Sequence, residues 1–172
     1  MSIFKFTSII LLSFLLISCG FHLRGNQDLS NVLPELNIVG VTKNSTLDRE
    51  LKRALENAKV NIVEESKVTL TIDKSDFSKR VLSIDSTGRA NQYELTYVLS
   101  FMLAQDIHNK DESPKVLDML PKQSITEKRE YLFDANLVLA KADEESRLQR
   151  DMQQAAMLQL VRRLTFLLKS GK

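Results

Sequence analysis

The chain has 172 residues, of which 24 are Lys or Arg and 22 are Asp or Glu, and 43% of its residues are hydrophobic. A formal net charge of +2, with both signs spread along the chain, excludes the strong basic field that binds nucleic acid through its phosphates. Five glycines, two histidines and one cysteine leave little material for a phosphate-binding loop, a multi-histidine metal site or an intramolecular disulfide. We therefore expect one globular domain with no cofactor, no metal and no nucleic-acid partner.

The first 18 residues have the pattern of a signal peptide. A short start with one positive charge, Met1 to Lys5, precedes an apolar run from Phe6 to Ile17. Because a membrane-spanning helix needs roughly 20 apolar residues, this run fits the core of a signal peptide better than a span. We expect residues 1–18 to be removed and residues 19–172 to form a single domain.

A lipid anchor is predicted where the signal peptide ends. The order Leu16-Ile17-Ser18-Cys19-Gly20 looks like a bacterial lipobox, in which the cysteine thiol receives a diacylglycerol. N-acyl and S-diacylglycerol lipid on Cys19 would anchor the protein to a membrane without a spanning helix. Gly20, rather than Asp, after the cysteine is similar to the sorting pattern of outer-membrane lipoproteins, which implies the periplasmic side of the outer membrane. The alternative is a buried cysteine after an ordinary signal peptide.

The first predicted elements of the mature chain are a strand and a helix. Leu36 to Val39 follows Pro34 and stops at Gly40, as a short strand would. Ser45 and Asp48 form a variant capping box at the start of an amphipathic helix. The apolar positions of that helix recur at spacings of three and four: Leu47, Leu51, Ala54, Leu55 and Ala58.

Three further strands are predicted from alternation with a period of two. Val68 to Ile72 alternates, and the pattern resumes less regularly through Ile84, which indicates one bent strand or two pieces joined by a bulge. The clearest strand, Tyr93 to Leu103, places its aromatic and leucine residues on one face. Its partner is predicted at Lys122 to Phe133, after a long polar hairpin connection between Gln105 and Ser124.

A second helix closes the predicted order of elements. Asp143-Glu144-Glu145 opens it, and Ala156, Leu160, Leu164 and Leu167 form part of its apolar stripe. The order β-α-β-β-β-α predicts an α+β two-layer sandwich, in which a four-stranded mixed sheet carries two helices on one face.

Three stretches of the sequence resemble the LPS-assembly lipoprotein family LptE, also called rare lipoprotein B. Cys19-Gly20-Phe21-His22-Leu23-Arg24-Gly25, directly after the lipobox, looks like the mature start of that family. Arg80 to Asp85, Gly88 to Ala90 and Tyr93 to Tyr97 are similar to its central hairpin, and Leu139 to Glu145 is similar to the start of its last helix. The likeness covers essentially the whole mature chain, but the stretch from Asp106 to Ser124 is longer than the connection expected in the family.

The resemblance implies a plug inside a partner barrel. LptE-like proteins sit in the lumen of the LptD β-barrel, help it assemble, and assist the insertion of lipopolysaccharide into the outer leaflet. The sheet face away from the helices is polar enough to meet a wet barrel wall, since it carries Thr69, Thr71, Thr96, Ser100 and Lys128. Without the resemblance, the same pattern favours an ordinary solvated face.

Four basic residues are candidates for binding the phosphates of lipopolysaccharide. Arg89 follows a turn glycine and Lys141 precedes the last helix, while Lys79 and Arg80 stand near the same end of the sheet. Ordinary solvated charges are the simpler explanation for all four.

The other hypotheses are weaker. Neither His22 nor His108 has neighbours at metal-ligand spacing, and Ser83, Asp85 and Asp106 lie in no recognisable triad context, so we expect no enzyme. The alternative function is an independent lipid-binding lipoprotein or the auxiliary lipoprotein of an ABC transporter, which would require an apolar cavity.

Overall fold

The computed structural model describes residues 28–107 and 115–170. In these ranges one mixed sheet has the strand order β2-β1-β3-β4-β5, with β1 parallel to both its neighbours and the last three strands antiparallel. The elements in chain order are β1 (Glu35–Val39), α1 (Thr46–Asn57), β2 (Asn61–Ile62), β3 (Val68–Ile84), β4 (Ala90–Ile107), β5 (Lys115–Leu132) and α2 (Val138–Ser170).

The sheet has five strands rather than the four expected. The additional strand, β2, has only two residues, which pair with Glu35 and Leu36 of β1. Two residues are too few to show an alternating pattern, so periodicity could not reveal this strand. The α+β class and the two-layer arrangement are as predicted.

The capping box at the start of α1 is confirmed. The Ser45 hydroxyl accepts a hydrogen bond from the Asp48 backbone N–H at 3.1 Å, and the Asp48 carboxylate accepts one from the Asn44 backbone N–H at 2.8 Å. These bonds satisfy donors that have no partner inside the helix. Leu51 and Leu55 are then directed into the core with no exposed surface.

The predicted irregularity after Ile72 is a bulge within one continuous strand. The register of β3 against β4 shifts between Ile72 and Lys74, so Asp73 is the additional residue. Gly40, at the end of β1, lies against the backbone on this part of β3. A Cβ atom on Gly40 would stand 2.1 Å from the Ile72 carbonyl oxygen, and the φ of Gly40 is +82°. Only glycine fits this close approach without strain.

The core lies between the helices and one face of the sheet. On β4 the predicted apolar face is buried from Leu95 to Leu103, with Tyr97, Leu99 and Phe101 completely inaccessible to solvent. Met152, Leu160 and Leu164 of α2 close this core from the other side. Alternation on β4 and a helical stripe on α2 are therefore combined in one hydrophobic layer.

The polar stretch from Gln105 to Ser124 is not the long connection that was expected. β4 continues to Ile107 and β5 begins at Lys115, so most of this stretch is strand; the rest, residues 108–114, lies outside the described residues. Pro121 is accommodated where the register shifts between Phe101 and Leu103. A proline lacks a backbone N–H, and a bulge on an outer strand removes the need for one.

The last helix is also longer than the sequence indicated. It begins at Val138 rather than at Asp143, and it extends for 33 residues. Asp143 to Glu145 consequently occupy its second turn. The first turn has no acidic residue and is apolar, so neither a capping signal nor an amphipathic stripe marked the start of the helix.

Candidate functional site

A rigid turn presents Arg89 at the tip of the β3–β4 hairpin. One oxygen of the Asp85 carboxylate accepts hydrogen bonds from the Thr87 hydroxyl at 2.7 Å, the Thr87 backbone N–H at 2.8 Å and the Arg89 backbone N–H at 3.0 Å. These bonds, that of the Thr87 hydroxyl foremost, hold the pKa of Asp85 below its usual range. Gly88 supplies the positive φ, +81°, that the turn requires. The Arg89 side chain is exposed.

A cluster around Lys79 joins the hairpin to α2. The Lys79 ammonium donates to Glu145 at 2.6 Å and lies 4.2 Å from the centre of the Tyr93 ring, while the Tyr131 hydroxyl donates to the same Glu145 oxygen at 2.5 Å. Burial favours the neutral lysine, but its hydrogen bonds to Glu145 and Tyr131 outweigh burial and raise the pKa of Lys79. Lys79 therefore has a structural partner on the side of the sheet that the helices cover.

Arg80 lies on the opposite side, which we call the open face: the sheet surface that is turned away from the helices. There the Glu94 carboxylate is 8% exposed and accepts a hydrogen bond from Arg80 at 2.7 Å, with the Lys128 ammonium 3.6 Å away. The Arg80 hydrogen bond is the main reason why the pKa of Glu94 is low. Three adjacent strands thus contribute one charge each to a cation–carboxylate–cation group with a net charge of +1.

Two further pairs of polar residues on the open face are hydrogen-bonded across strands. The hydroxyls of Ser100 and Ser124 are 2.9 Å apart, and the Gln92 amide donates to Glu130 at 3.1 Å. The strand register places all five polar residues expected on this face there, namely Thr69, Thr71, Thr96, Ser100 and Lys128. The open face is therefore a broad surface on which polar side chains bond across strands, with Glu94 placed between Arg80 and Lys128.

The four basic residues expected to bind lipopolysaccharide phosphates do not form one cluster. Lys79 and Arg80 are neighbours in a strand, so they point to opposite faces. Lys141 is the fourth residue of α2, is largely buried, and donates to Glu144 at 2.8 Å. Of these four residues, only Arg89 is both exposed and without a carboxylate within 4 Å among the described residues. The predicted anchor, Cys19, lies outside the described residues.

Sequence reasoning missed two features of this region. Glu94 is the acceptor that organises the open face. In the sequence, its position between Tyr93 and Leu95 predicts only that its side chain lies on the face opposite the apolar one. Leu137, Val138 and Leu139 are exposed at the start of α2, by 53%, 53% and 85%. The signal for them was present in the sequence as a short apolar run between Asn136 and Lys141.

Other kinds of site receive little support from the described part of the chain. Residues 28–107 and 115–170 contain no group of three or more His, Cys, Asp or Glu that could hold a metal ion. Neither helix in these ranges is long and apolar enough to cross a membrane. An open groove of about 380 Å³ between β5 and α2 is lined by Gln123, Arg162, Arg163, Phe166 and Leu167. It is an open groove rather than the enclosed apolar cavity that an independent lipid carrier would need.

Comparison with known proteins identifies the family. The family model for LptE, lipopolysaccharide-assembly, matches residues 33–164. A search of curated proteins gave no significant match.

Solved structures agree with this match. The solution structure of an uncharacterized lipoprotein B from Nitrosomonas europaea has 29% identity and a TM-score of 0.66, covering 88% of this chain and 94% of that one. The crystal structure of the rare lipoprotein B from Shewanella oneidensis has 23% identity and a TM-score of 0.61, covering 76% of this chain and 92% of that one. A minor lipoprotein from Acinetobacter baumannii, at 18% identity and a TM-score of 0.60, shares the fold over 78% of this chain and 92% of its own. By the extent of the family match, and with the fold in agreement, this chain belongs to the LptE family of lipopolysaccharide-assembly lipoproteins.

Proposed function

We propose that this protein is an outer-membrane lipoprotein, anchored through lipid on Cys19, that plugs the LptD β-barrel from the periplasmic side. In this role it assists assembly of the barrel and helps lipopolysaccharide enter the outer leaflet. Membership of the LptE family supports the connection with lipopolysaccharide assembly. The role requires no catalytic group and no cofactor beyond the covalent lipid.

The observation that carries the proposal is the open face. A sheet normally buries one face, and here the helices cover one face while the other carries paired charges and hydroxyls across β3, β4 and β5. The interior of a membrane β-barrel is polar and contains water, so a polar surface can lie against it with its hydrogen bonds intact. Because Arg80 and Lys128 already pair with Glu94, contact with the wall does not leave the Glu94 carboxylate unpaired.

The direct test is copurification from solubilised outer membranes. The acylated protein carries an affinity tag, and LptD in the eluate is measured by immunoblot. We expect LptD to copurify with the wild type, and we expect the double charge reversal Arg80→Glu and Lys128→Glu to reduce its recovery strongly. The reversed charges surround Glu94 and make the open face acidic. Recovery of LptD at the wild-type level with this variant would show that the open face does not contact the barrel.

A matched control separates contact from folding. Arg53→Glu together with Lys43→Glu reverses two exposed charges on the helix side, and we expect this variant to recover LptD normally. Thermal melting of both variants checks that the fold persists.

Depletion of the protein should lower the level of assembled LptD and make the outer membrane permeable to large apolar compounds. Normal LptD levels with an intact permeability barrier would favour the independent lipid-binding lipoprotein instead.

A further inference from the structure

The groove between β5 and the second half of α2 carries positive charge that the described part of the chain does not balance. We call it the arginine groove, and its lining consists of Gln123, Arg162, Arg163, Phe166 and Leu167. Neither arginine has a carboxylate within 4 Å among the described residues. After Asp151, α2 contains no Asp or Glu up to its end at Ser170. The groove therefore offers two cations to a ligand.

The buried carboxylate that β5 places against α2 is already bound. The Glu127 side chain is only 8% exposed, accepts a hydrogen bond from the Gln159 amide, and lies 3.5 Å from Arg129. One helical turn after Gln159, the Arg163 guanidinium donates to the Ser124 carbonyl oxygen at 2.7 Å. This bond holds Arg163 at the edge of the sheet, where β5 is the last strand. Glu127 therefore does not neutralise the groove.

An aromatic side chain forms part of the groove wall. Phe166 is 68% exposed and follows Arg162 by one helical turn, so a phenyl ring and a guanidinium lie beside each other. Arginine and aromatic residues are the side chains that contribute most to protein–protein binding. The groove volume of about 380 Å³ equals that of about a dozen waters at about 30 Å³ each, which leaves room for a few side chains. The groove thus suits a polypeptide that carries anionic and apolar side chains together.

The position of the groove indicates which polypeptide reaches it. Arg163 lies about 27 Å of helix beyond Glu145, so the groove is far from the tip of the β3–β4 hairpin. In the proposed function a barrel wall surrounds the protein, and a groove at the edge of the sheet faces that wall. A phosphate group alone could satisfy the arginines but would leave Phe166 uncovered. A protein carboxylate pairs with a guanidinium fork through two parallel hydrogen bonds, and a neighbouring side chain of the same segment can cover the ring.

We propose that the arginine groove binds an acidic segment of the LptD chain. Carboxylates of that segment pair with Arg162 and Arg163, and an adjacent apolar side chain packs on Phe166. This inference rests on the proposed function, since it assumes that the protein lies inside the LptD barrel. It adds a second contact region to the open face, at a different surface of the molecule and with a stated chemistry: an excess of positive charge on this chain and of negative charge on LptD.

A photoreactive side chain in the groove gives the direct test. Phe166→p-benzoylphenylalanine is made in the full chain in cells, and Thr126→p-benzoylphenylalanine places the same group on the open face, where Thr126 is exposed. After irradiation, adducts are identified by immunoblot and mass spectrometry. We expect LptD adducts from both positions. The LptD peptide joined to position 166 should contain Asp or Glu and should differ from the peptide joined to position 126.

The two positions separate this inference from the proposed function. An LptD adduct at position 126 without one at position 166 would overturn the groove assignment and leave the plug standing. No LptD adduct at either position, together with no LptD in the copurification, would refute the proposed function itself. An adduct of position 166 with lipopolysaccharide, with phospholipid, with a second copy of this chain, or with an LptD peptide that lacks Asp and Glu would also overturn the groove assignment.

Charge reversal tests the role of the two arginines. Arg162→Glu with Arg163→Glu should lower the yield of the LptD adduct at position 166 about tenfold, because both attractive contacts become repulsive. The matched control, Arg147→Glu with Arg150→Glu, reverses two exposed charges earlier on the same helix and should leave that yield unchanged. Equal yields from the two variants would refute the pairing.

A charge swap distinguishes pairing with LptD from a role in folding. In the cells that carry the doubly reversed groove, the Asp or Glu of the cross-linked LptD peptide is replaced by Arg. We expect the adduct at position 166 to return to within about threefold of its original yield, because the pairs form again with opposite polarity. A loss of packing within this chain would not be repaired by a change in LptD. Failure of the swap to restore the adduct would therefore overturn the proposal.

Discussion

Leu160 of α2 offers the sharpest test of the two-layer architecture, because its side chain is completely buried between α2 and the sheet. Leu160→Ala removes three carbon groups, which at about 0.8 kcal/mol each is a transfer loss of about 2.4 kcal/mol. The cavity that remains adds to this loss, so the total should be about 2.5 to 5 kcal/mol. With a urea m-value of about 2 kcal/mol/M, the unfolding midpoint should fall by about 1 to 2.5 M.

Leu158 provides the matched control two residues earlier on the same helix. Its side chain is 56% exposed, so Leu158→Ala makes the same chemical change outside the core and should cost no more than about 0.5 kcal/mol. Leu99→Ala, on the facing strand, should behave like Leu160→Ala because Leu99 is equally inaccessible. The measurement is urea unfolding followed by circular dichroism. If the variants at positions 158 and 160 unfold at the same midpoint, α2 does not pack on the sheet as described.

Three further predictions concern the anchor, a close backbone contact and pH. Cys19→Ala should leave the protein unacylated and absent from the membrane fraction, and a free thiol at the mature wild-type N-terminus, detected by mass spectrometry, would contradict the anchor. Gly40→Ala should lower the free energy of unfolding by about 2 kcal/mol or more because its Cβ would clash with Ile72. Gly88 has a similar φ and nothing within 4 Å, so Gly88→Ala should lower it by only about 1 kcal/mol. Equal melting temperatures of the two variants would refute the contact between Gly40 and Ile72. The hydrogen bond from Lys52 is the largest cause that lowers the pKa of Asp48 below 3.8, so its stabilisation is present above that pH and is lost as pH falls through the folded pKa. The stability difference between wild type and Asp48→Asn should therefore shrink as urea unfolding is repeated below pH 4, and a constant difference would contradict the ion pair.

Elements with a long and regular pattern were predictable from the sequence. The alternation from Tyr93 to Leu103 identified β4 and its buried face, and Ser45 with Asp48 identified the start of α1. The bend after Ile72 was also predictable, since the alternation there is interrupted and then resumes. In each case the local pattern and the tertiary environment select the same structure.

The elements that the sequence did not predict have a common cause: their structure is determined by the strands or helices they pair with rather than by their local sequence pattern. β2 exists because β1 offers it an edge, and the ends of β4 and β5 extend into polar sequence because each is the other's hydrogen-bonding partner. The first turn of α2 has no capping signal and no buried stripe.

The candidate site was predictable only in part. The basic residues are visible in the sequence, but the ion pairs of Arg80 with Glu94 and of Lys79 with Glu145 depend on strand register and on the packing of α2. The pair of Lys141 with Glu144 depends on α2 beginning before Lys141.

The position of β5 at the border of the sheet has a consequence for how the protein behaves in concentrated solution. A long edge strand exposes a row of unpaired backbone N–H and C=O groups. A second molecule can pair its own strand with this row, and such pairing leads to aggregation. β5 resists this because Pro121 interrupts the row, and charged side chains, among them Lys122, Lys128 and Arg129, lie along the strand. Removal of these features should convert a dispersed protein into a fibre-forming one without loss of its native core. The solubility of the free protein thus depends on β5, the strand farthest from β1 in the sheet.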